Sequence, residues 1–402
     1  MADYPIRDVF QQFGSAVKSK KCLSEQQLKA LSLISMCKTG KLGSHKEKCT
    51  SCGHKKVHYN SCGNRNCPNC QGINKEKWIL ARSFDLLPVK YFHGVFTVPE
   101  ELRGLFRYNK RLLYDLLFRS VKETLFEFSL GPKQKMEAKP GFICVLHTWN
   151  QKMGYHPHVH CIIPAGGINN QGEWKTSKGK ADFLFDVKAL STKFRKKFLI
   201  LLAELVANGE VKFPVKDAHC STKSNFYKTK GILYNRDWVV YAKESFRGPD
   251  QVMEYLGRYT HKIAISNHRI IKVTATHVHF KYLDRANKTS RERKVTGEQF
   301  VMLFLQHVLP SRFIKIRHCG FLSTRSKKVD LALIRKALNV LNVPEKIKLT
   351  GRELLIKLYD TDPNLCPKCQ QDTMVVVETH GGIRGSPPRF FPKDKKIQLE
   401  MN

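Results

Sequence analysis

"GYHPHVHCIIPAGG", residues 154 to 167, sets imidazoles at three alternate positions, His156, His158 and His160, ahead of an apolar run. Alternation of period two marks a β-strand, in which residues i, i+2 and i+4 share a face. His158 and His160 therefore point one way, while Val159, Cys161 and Ile163 point into a core. His156 joins the histidine face if the strand begins there, although Pro157 confines it to a strand start or an edge. Two or three neutral imidazoles on one face suit a divalent ion that keeps open positions for a substrate. Upstream, "FICVLHTW" (142–149) reads as a second strand. The connection Asn150 to Pro157 suits a hairpin, so the two strands are expected to pair antiparallel.

Outward from this pair, strands and helices alternate. "YFHGVFTV" (91–98) reads as a buried strand ended by Pro99. "NKRLLYDLLFRSVKETLFEF" (109–128) is an amphipathic helix with Leu112, Leu113, Leu116, Leu117, Val121 and Leu125 as its stripe. Residues 185–210 form a long helix with Asp186 as N-cap and Gly209 as its stop. "DWVVYAKESF" reads as a strand, and "GPDQVMEYLGRYTHK" as a helix opened by Pro249. "HRIIKVTATHVHFKYLD" reads as two more strands. The first 40 residues are expected to be helical, with Leu28, Leu31 and Ile34 near a helical period and Gly40 as a stop. No glycine fingerprint of a βαβ unit appears, so the expected class is α+β, an antiparallel sheet with helices over one face. Three regions are expected: a helical and cysteine-rich module over 1–85, the main domain over 86–345, and a C-terminal extension over 346–402 with a poorly ordered Pro- and Lys-rich tail.

The charge narrows the partner. Seventy Lys and Arg against 34 Asp and Glu give +36, spread along all 402 residues. Such a field favours a polyanion, because every phosphate neutralised releases condensed counterions. No window reaches the length of an apolar membrane span, and the N-terminus lacks the apolar core of a signal peptide. A soluble, non-secreted nucleic-acid-binding protein is expected, and thirteen cysteines there point to metal rather than disulfides.

"HKEKCTSCGHKKVHYNSCGNRNCPNCQG" holds Cys49-x2-Cys52 and, fourteen residues later, Cys67-x2-Cys70. Two such knuckles supply four thiolates for one tetrahedral structural zinc ion. Cys62, His45, His54 and His58 lie in the same segment as extra candidates, with Cys62 expected to pack beside the single zinc. "CPKC" (366–369) is a lone knuckle, too few ligands for a closed site. A second His-x-His, "THVHF" (276–280), reads as an ordinary outward-facing strand, with His277 and His279 on its surface.

In "QVMEYLGRYTHKIAISN", Tyr255 and Tyr259 stand at i and i+4, on one face of a helix docked by Val252, Met253 and Leu256. Arg258, His261 and Lys262 place positive charge beside them, which favours a phenolate and binds phosphate. A tyrosine pair by itself is usually core packing. Beside a histidine strand and a charge of +36 it reads as a pair of nucleophiles.

At these residues the chain resembles a known family. "HPHVHC" is similar to the His-hydrophobic-His motif of HUH endonucleases, and the tyrosine pair with "RYTHKIAISN" resembles the two-tyrosine rolling-circle transposases of bacterial insertion sequences. "SCGNRNCPNCQG" looks like the zinc-binding domain of such transposases, "LPVKYFHGVFTVPEELR" like the segment after it, and "RFIKIRHCGFLSTR" like a later core motif. Asn66 stands where the family usually has histidine. The resemblance implies an HUH core preceded by a helical, zinc-ribbon module. It implies metal-dependent cleavage and transfer of single-stranded DNA, at element ends and target, through 5′-phosphotyrosine intermediates. Mg²⁺ or Mn²⁺ would sit on His158, His160 and a third ligand. His156 is preferred for that place on strand geometry, with His147, Gln251 and Glu254 open. Arg258 and Lys262 would contact DNA, and the protein would act in the bacterial cytoplasm at the nucleoid.

Three alternatives share parts of this reading. A replication initiator or relaxase would use the same site. A zinc-containing DNA-binding protein without catalysis would need neither tyrosines nor the histidine metal, and a metallohydrolase on the histidine face would work without tyrosine. A two-metal carboxylate transposase is disfavoured, since no acidic pair accompanies the histidines.

Overall fold

A computed structural model describes residues 4–131, 136–176, 185–246, 251–252, 257, 263–284, 286–342, 349–360 and 362–382. Tyr255, Tyr259, Glu254, Arg258, Lys262 and the tail from 383 lie outside the described residues.

The chain opens with α1 (Ile6–Lys20) and α2 (Glu25–Ser35), then β1 (Ser44–Cys49), β2 (Lys55–Tyr59) and α3 (Gln71–Ser83). Next come β3 (Tyr91–Thr97), α4 (Arg103–Tyr108), α5 (Lys110–Leu130), β4 (Lys139–Trp149) and β5 (Tyr155–Pro164). Two short strands, β6 (Gly167–Ile168) and β7 (Trp174–Lys175), precede α6 (Val187–Ala207), α7 (Lys223–Tyr234) and β8 (Val240–Phe246). The remainder is β9 (Ile270–Val273), β10 (His277–Asp284), β11 (Thr289–Thr296), α8 (Gly297–Leu305), β12 (Ile316–Gly320), α9 (Lys327–Ala337), α10 (Gly351–Tyr359) and β13 (Met374–His380). Helix starts follow side-chain chemistry. Asp186 accepts from the Ala189 N–H at 2.7 Å to open α6, and Ser24, Thr296 and Thr350 open α2, α8 and α10 with reciprocal capping boxes.

The central sheet is antiparallel and seven-stranded, ordered β7-β6-β4-β5-β3-β8, with β12 beside β4. On one face Phe96, Phe142, Cys144, Leu146, Val159 and Cys161 pack against α5 and α6 in the largest core of the molecule. The opposite face is covered too. Tyr91, Ile143, Val145 and Ile162 pack with Val252 and with Leu331 and Ile334 of α9. This corrects the expectation of helices over one face. The strands carry apolar residues on both sides, so each side needs a cover.

The N-terminal helices join a different core. Val9, Phe10 and Phe13 of α1 pack with Phe300 and Phe304 of α8 and with Val278 and Phe280 of the β9–β11 sheet. A third sheet, β13-β1-β2, places the C-terminal strand beside the first strand of the chain. No helix among the described residues is long and apolar enough to cross a membrane.

Candidate metal centres and nucleic-acid site

Strand register builds the histidine cluster. His158 and His160 alternate with Val159 on β5, and β4 sets His147 directly opposite His158 and Val145 opposite His160. Ring centroids of His147 lie 5.5 Å from His158 and 4.4 Å from His160, which are themselves 4.9 Å apart. One ring nitrogen from each of the three falls within 4.8 Å of the others, and all three side chains are buried.

His156 is not part of this group. Its ring lies 5.0 Å from His158, and Arg103 Nη2 donates to its Nδ1 at 3.3 Å. A strand advances about 3.3 Å per residue, so His156 and His160 are separated by about 13 Å along β5 and cannot share an ion. A residue directly across the ladder is only about 5 Å away, which is why His147 takes the third place. The preference for His156 is thus corrected in favour of His147. Pro157 is accommodated because it lies beyond the Thr97–His158 end of the β3 ladder and where the β4 register slips between His147 and Trp149.

Surrounding contacts orient the rings. The His158 Nδ1 lies 2.7 Å from the His156 carbonyl oxygen, so it carries the proton and leaves the lone pair on Nε2. The His160 Nδ1 lies 2.9 Å from His93 Nε2, the two rings stacked at 5.2 Å. Burial pushes His93 down to about 4, so it is neutral near pH 7 and its Nε2 can accept a hydrogen bond from the His160 Nδ1–H. His147 stacks on Trp149 at 4.7 Å. His93 was missed in the sequence because a lone histidine in "YFHGVFTV" carries no pattern; only the β3–β5 pairing exposes it. Three buried imidazoles, two with their second nitrogen already bonded, fit a divalent ion.

Of the residues around the expected nucleophiles, Gln251, Val252 and Gly257 are helical. Val252 is fully buried on the histidine-bearing face of the sheet. At Gly257 a Cβ would stand 2.8 Å from Ile79 of α3. On the same face, α3 and α9 bound a cleft of about 610 Å³ with an apolar lining that includes Leu80, Phe84, Leu331 and Leu354, edged by Lys77, Lys328 and Arg335 and by Arg82 and Lys327, which pair with Asp85.

The cysteines do not form the expected quartet. Cys67 and Cys70 group with Cys37 and Cys62, whereas Cys49 and Cys52 group with Cys366 and Cys369. In the first group Cys37–Cys70, Cys62–Cys70 and Cys67–Cys37 sulfurs are each 3.6 Å apart. Two C-x2-C knuckles satisfy the stoichiometry of one zinc, but β1 and β2 carry the first knuckle away from the second. Hydrogen bonds from Cys37, Cys62 and Cys67 pull the Cys70 thiol well below its ordinary value, while those with Cys37, Cys62 and Cys70 push Cys67 well above it. Four such sulfurs shed their protons together only around a cation. Cys62 is therefore a member of the group rather than a neighbour of it, and Cys37, on the loop after α2, had no partner knuckle to flag it. His45 stacks on His58 at 5.2 Å, and both face Glu47; neither they nor His54 belong to a thiol group. Asn66 donates to Asn64 Oδ1 at 3.1 Å, and the thiol group is complete without position 66. On β10, His279 pairs with Glu292 and His277 with Thr276.

Residues 141–329 match a family model described as "Putative transposase", and residues 9–98 one described as "Transposase zinc-binding domain". The chain is 36% identical over 393 residues to a "Putative transposase y4qJ" of Sinorhizobium fredii, covering 96% of this chain and 98% of that protein. It is 26% identical over 373 residues to the "Transposase for insertion sequence element IS801" of Pseudomonas savastanoi pv. phaseolicola, covering 91% and 87% respectively. No solved structure matches.

Proposed function

Because the chain belongs to the insertion-sequence transposase family, in which a zinc-binding module precedes the transposase region, we propose that it moves DNA by an HUH-type reaction on single strands. The observation that carries this reading is the buried triad His147, His158 and His160, three converging imidazoles on one sheet face. Both matched families and both relatives are transposases, which supports this function over a replication initiator, a relaxase or a non-catalytic DNA-binding protein.

The triad would hold the catalytic ion, which when bound polarises the scissile phosphate as a Lewis acid. A donor set of imidazoles without carboxylate suits Mn²⁺ better than Mg²⁺, which prefers oxygen. Tyr255 or Tyr259 attacks phosphorus through its phenolic oxygen, a 5′-phosphotyrosine bond forms, and the 3′-oxygen leaves and takes a proton. A 3′-hydroxyl attacking the same phosphorus reverses the step, joins strands and returns the phenol, with no external energy source. Two tyrosines allow two strands to be held at once. Val252, three residues before Tyr255, is buried on the histidine-bearing face of the sheet, which supports this reading. Arg258 and Lys262, with the cations of the α3–α9 cleft, would hold the strand by its phosphates. The Cys37, Cys62, Cys67 and Cys70 group would hold structural zinc in the module that positions the element ends.

Incubation with Mn²⁺ and single-stranded oligonucleotides from the element's own ends should give a covalent protein–DNA adduct and a free 3′-hydroxyl fragment. The Tyr255→Phe, Tyr259→Phe double variant should give none, and His158→Ala should lose cleavage while retaining most phosphate-driven binding. Cleavage that survives the double tyrosine change would refute the mechanism and point to a metallohydrolase.

A further inference from the structure

Residues 362–382 lie beyond both matched regions, yet they fold back onto the start of the chain. β13 pairs antiparallel with β1, setting Met374 opposite Cys49 and His380 opposite Ser44. Little apolar packing holds this segment, since Cys366 is its only buried side chain among the described residues and Val376 and Val377 are exposed. A segment without a core needs another source of stability.

We propose that Cys49, Cys52, Cys366 and Cys369 form a second, closed zinc site that staples the C-terminal segment to the N-terminal module. This rests on geometry alone and is independent of the DNA chemistry above. "CTSCGH" and "CPKCQQ" fold into the same knuckle twice. The Gly53 N–H donates to the Cys49 carbonyl at 3.0 Å, and the Gln370 N–H donates to the Cys366 carbonyl at 2.8 Å. The Cys49 N–H donates to the His54 carbonyl at 2.8 Å, as the Cys366 N–H does to Gln371 at 2.9 Å. Both turns pass through the left-handed region, at φ +72° for Gly53 and +59° for Gln370. A glutamine rarely adopts that conformation, so something must hold the turn.

The sulfurs complete the case. Cys49 and Cys369 stand 3.6 Å apart and Cys52 and Cys366 3.5 Å apart, with all four within 4.8 Å. A tetrahedron with zinc–sulfur bonds of about 2.3 Å has edges of about 3.8 Å, whereas a disulfide brings sulfurs to about 2.05 Å. The Cys52 N–H also points at Cys49 Sγ at 3.3 Å, a contact that stabilises a thiolate. Behind the site, Arg352 of α10 reaches Asp362 at 2.8 Å and Asp372 at 2.8 Å, tying the loop to the helix. α10 in turn lies on α3, where Lys357 faces Glu76 at 3.8 Å, and α3 is the helix that Gly257 touches. The staple therefore fixes the outer layer of the face that bears the histidine triad.

Zinc content and coordination of the full-length, chelator-washed protein test this. Elemental analysis should find two zinc per chain, and X-ray absorption should show a shell of four sulfurs at about 2.3 Å with no nitrogen. The Cys366→Ser, Cys369→Ser double variant should hold one zinc and become cleavable by protease between α10 and β13, with the sheet core still folded by circular dichroism. One zinc in the wild type, or two zinc retained in the double variant, would overturn the proposal. The wild-type measurements decide even if the variant fails to fold.

Discussion

The histidine triad and the second cysteine group are both candidate metal centres, but they are assembled on different scales. His147, His158 and His160 come from two adjacent strands of one hairpin. Cys49 and Cys369 are 320 residues apart and meet only because β13 returns to β1. Register fixes the first site, and once two strands pair, the residue across the ladder is decided. Tertiary topology fixes the second, and no spacing within either knuckle reports it. A local site tolerates little rearrangement of its own strands, whereas a long-range one depends on every segment that brings its halves together.

The largest expected effect separates ladder geometry from strand geometry. His147→Ala should lower single-strand cleavage by at least about 10²-fold, as removal of a ligand to a catalytic ion does. His156→Ala should lower it by less than about tenfold, because His156 lies outside the group of converging ring nitrogens, and its carbonyl, which the substitution keeps, is what orients His158. Adduct formation under single-turnover conditions measures both. If the ranking reverses, the third ligand lies along the strand and the register argument fails.

The central strands, α5, α6 and the Asp186 cap were legible in the sequence because their periods are local, with Val159 and Cys161 alternating against His158 and His160. The second cover of the sheet was not legible, since α9 carries only Leu331 and Ile334 to that face and their partners Ile143 and Ile162 are far away in sequence. Of the candidate site, His158 and His160 could be read directly, and His147 only as one of several options. His93 and Cys37 required tertiary contacts. Cys37 gives the sharpest test on the cysteine side. If spacing alone governed, with Cys49, Cys52, Cys67 and Cys70 as one site, Cys37→Ser would leave zinc content unchanged. The observed group predicts the loss of one zinc per chain and a destabilisation of about 3 kcal/mol or more, seen as a lower thermal midpoint.

The smallest effect distinguishes how the two kinds of region respond to acid. Beside the triad's Trp149, at 6.0 Å, the buried His307 donates from Nε2 to the Met153 carbonyl at 3.0 Å and meets Thr148 Oγ1 through Nδ1 at 3.1 Å. Burial holds it down to about 3, against 6.5 in the unfolded chain. A folded value below the unfolded one means that the unfolded state binds more protons in between, so stability is present above pH 6.5 and falls as the pH drops towards 3. Between pH 7.5 and 5.5 this one group should cost about 1.3 kcal/mol. His307→Gln can make both hydrogen bonds without titrating, so it should remove that part of the loss while leaving zinc content unchanged. Urea unfolding at the two pH values measures it. An unaltered pH dependence in the variant would assign the acid sensitivity to the thiolate clusters, where protonation competes directly with metal.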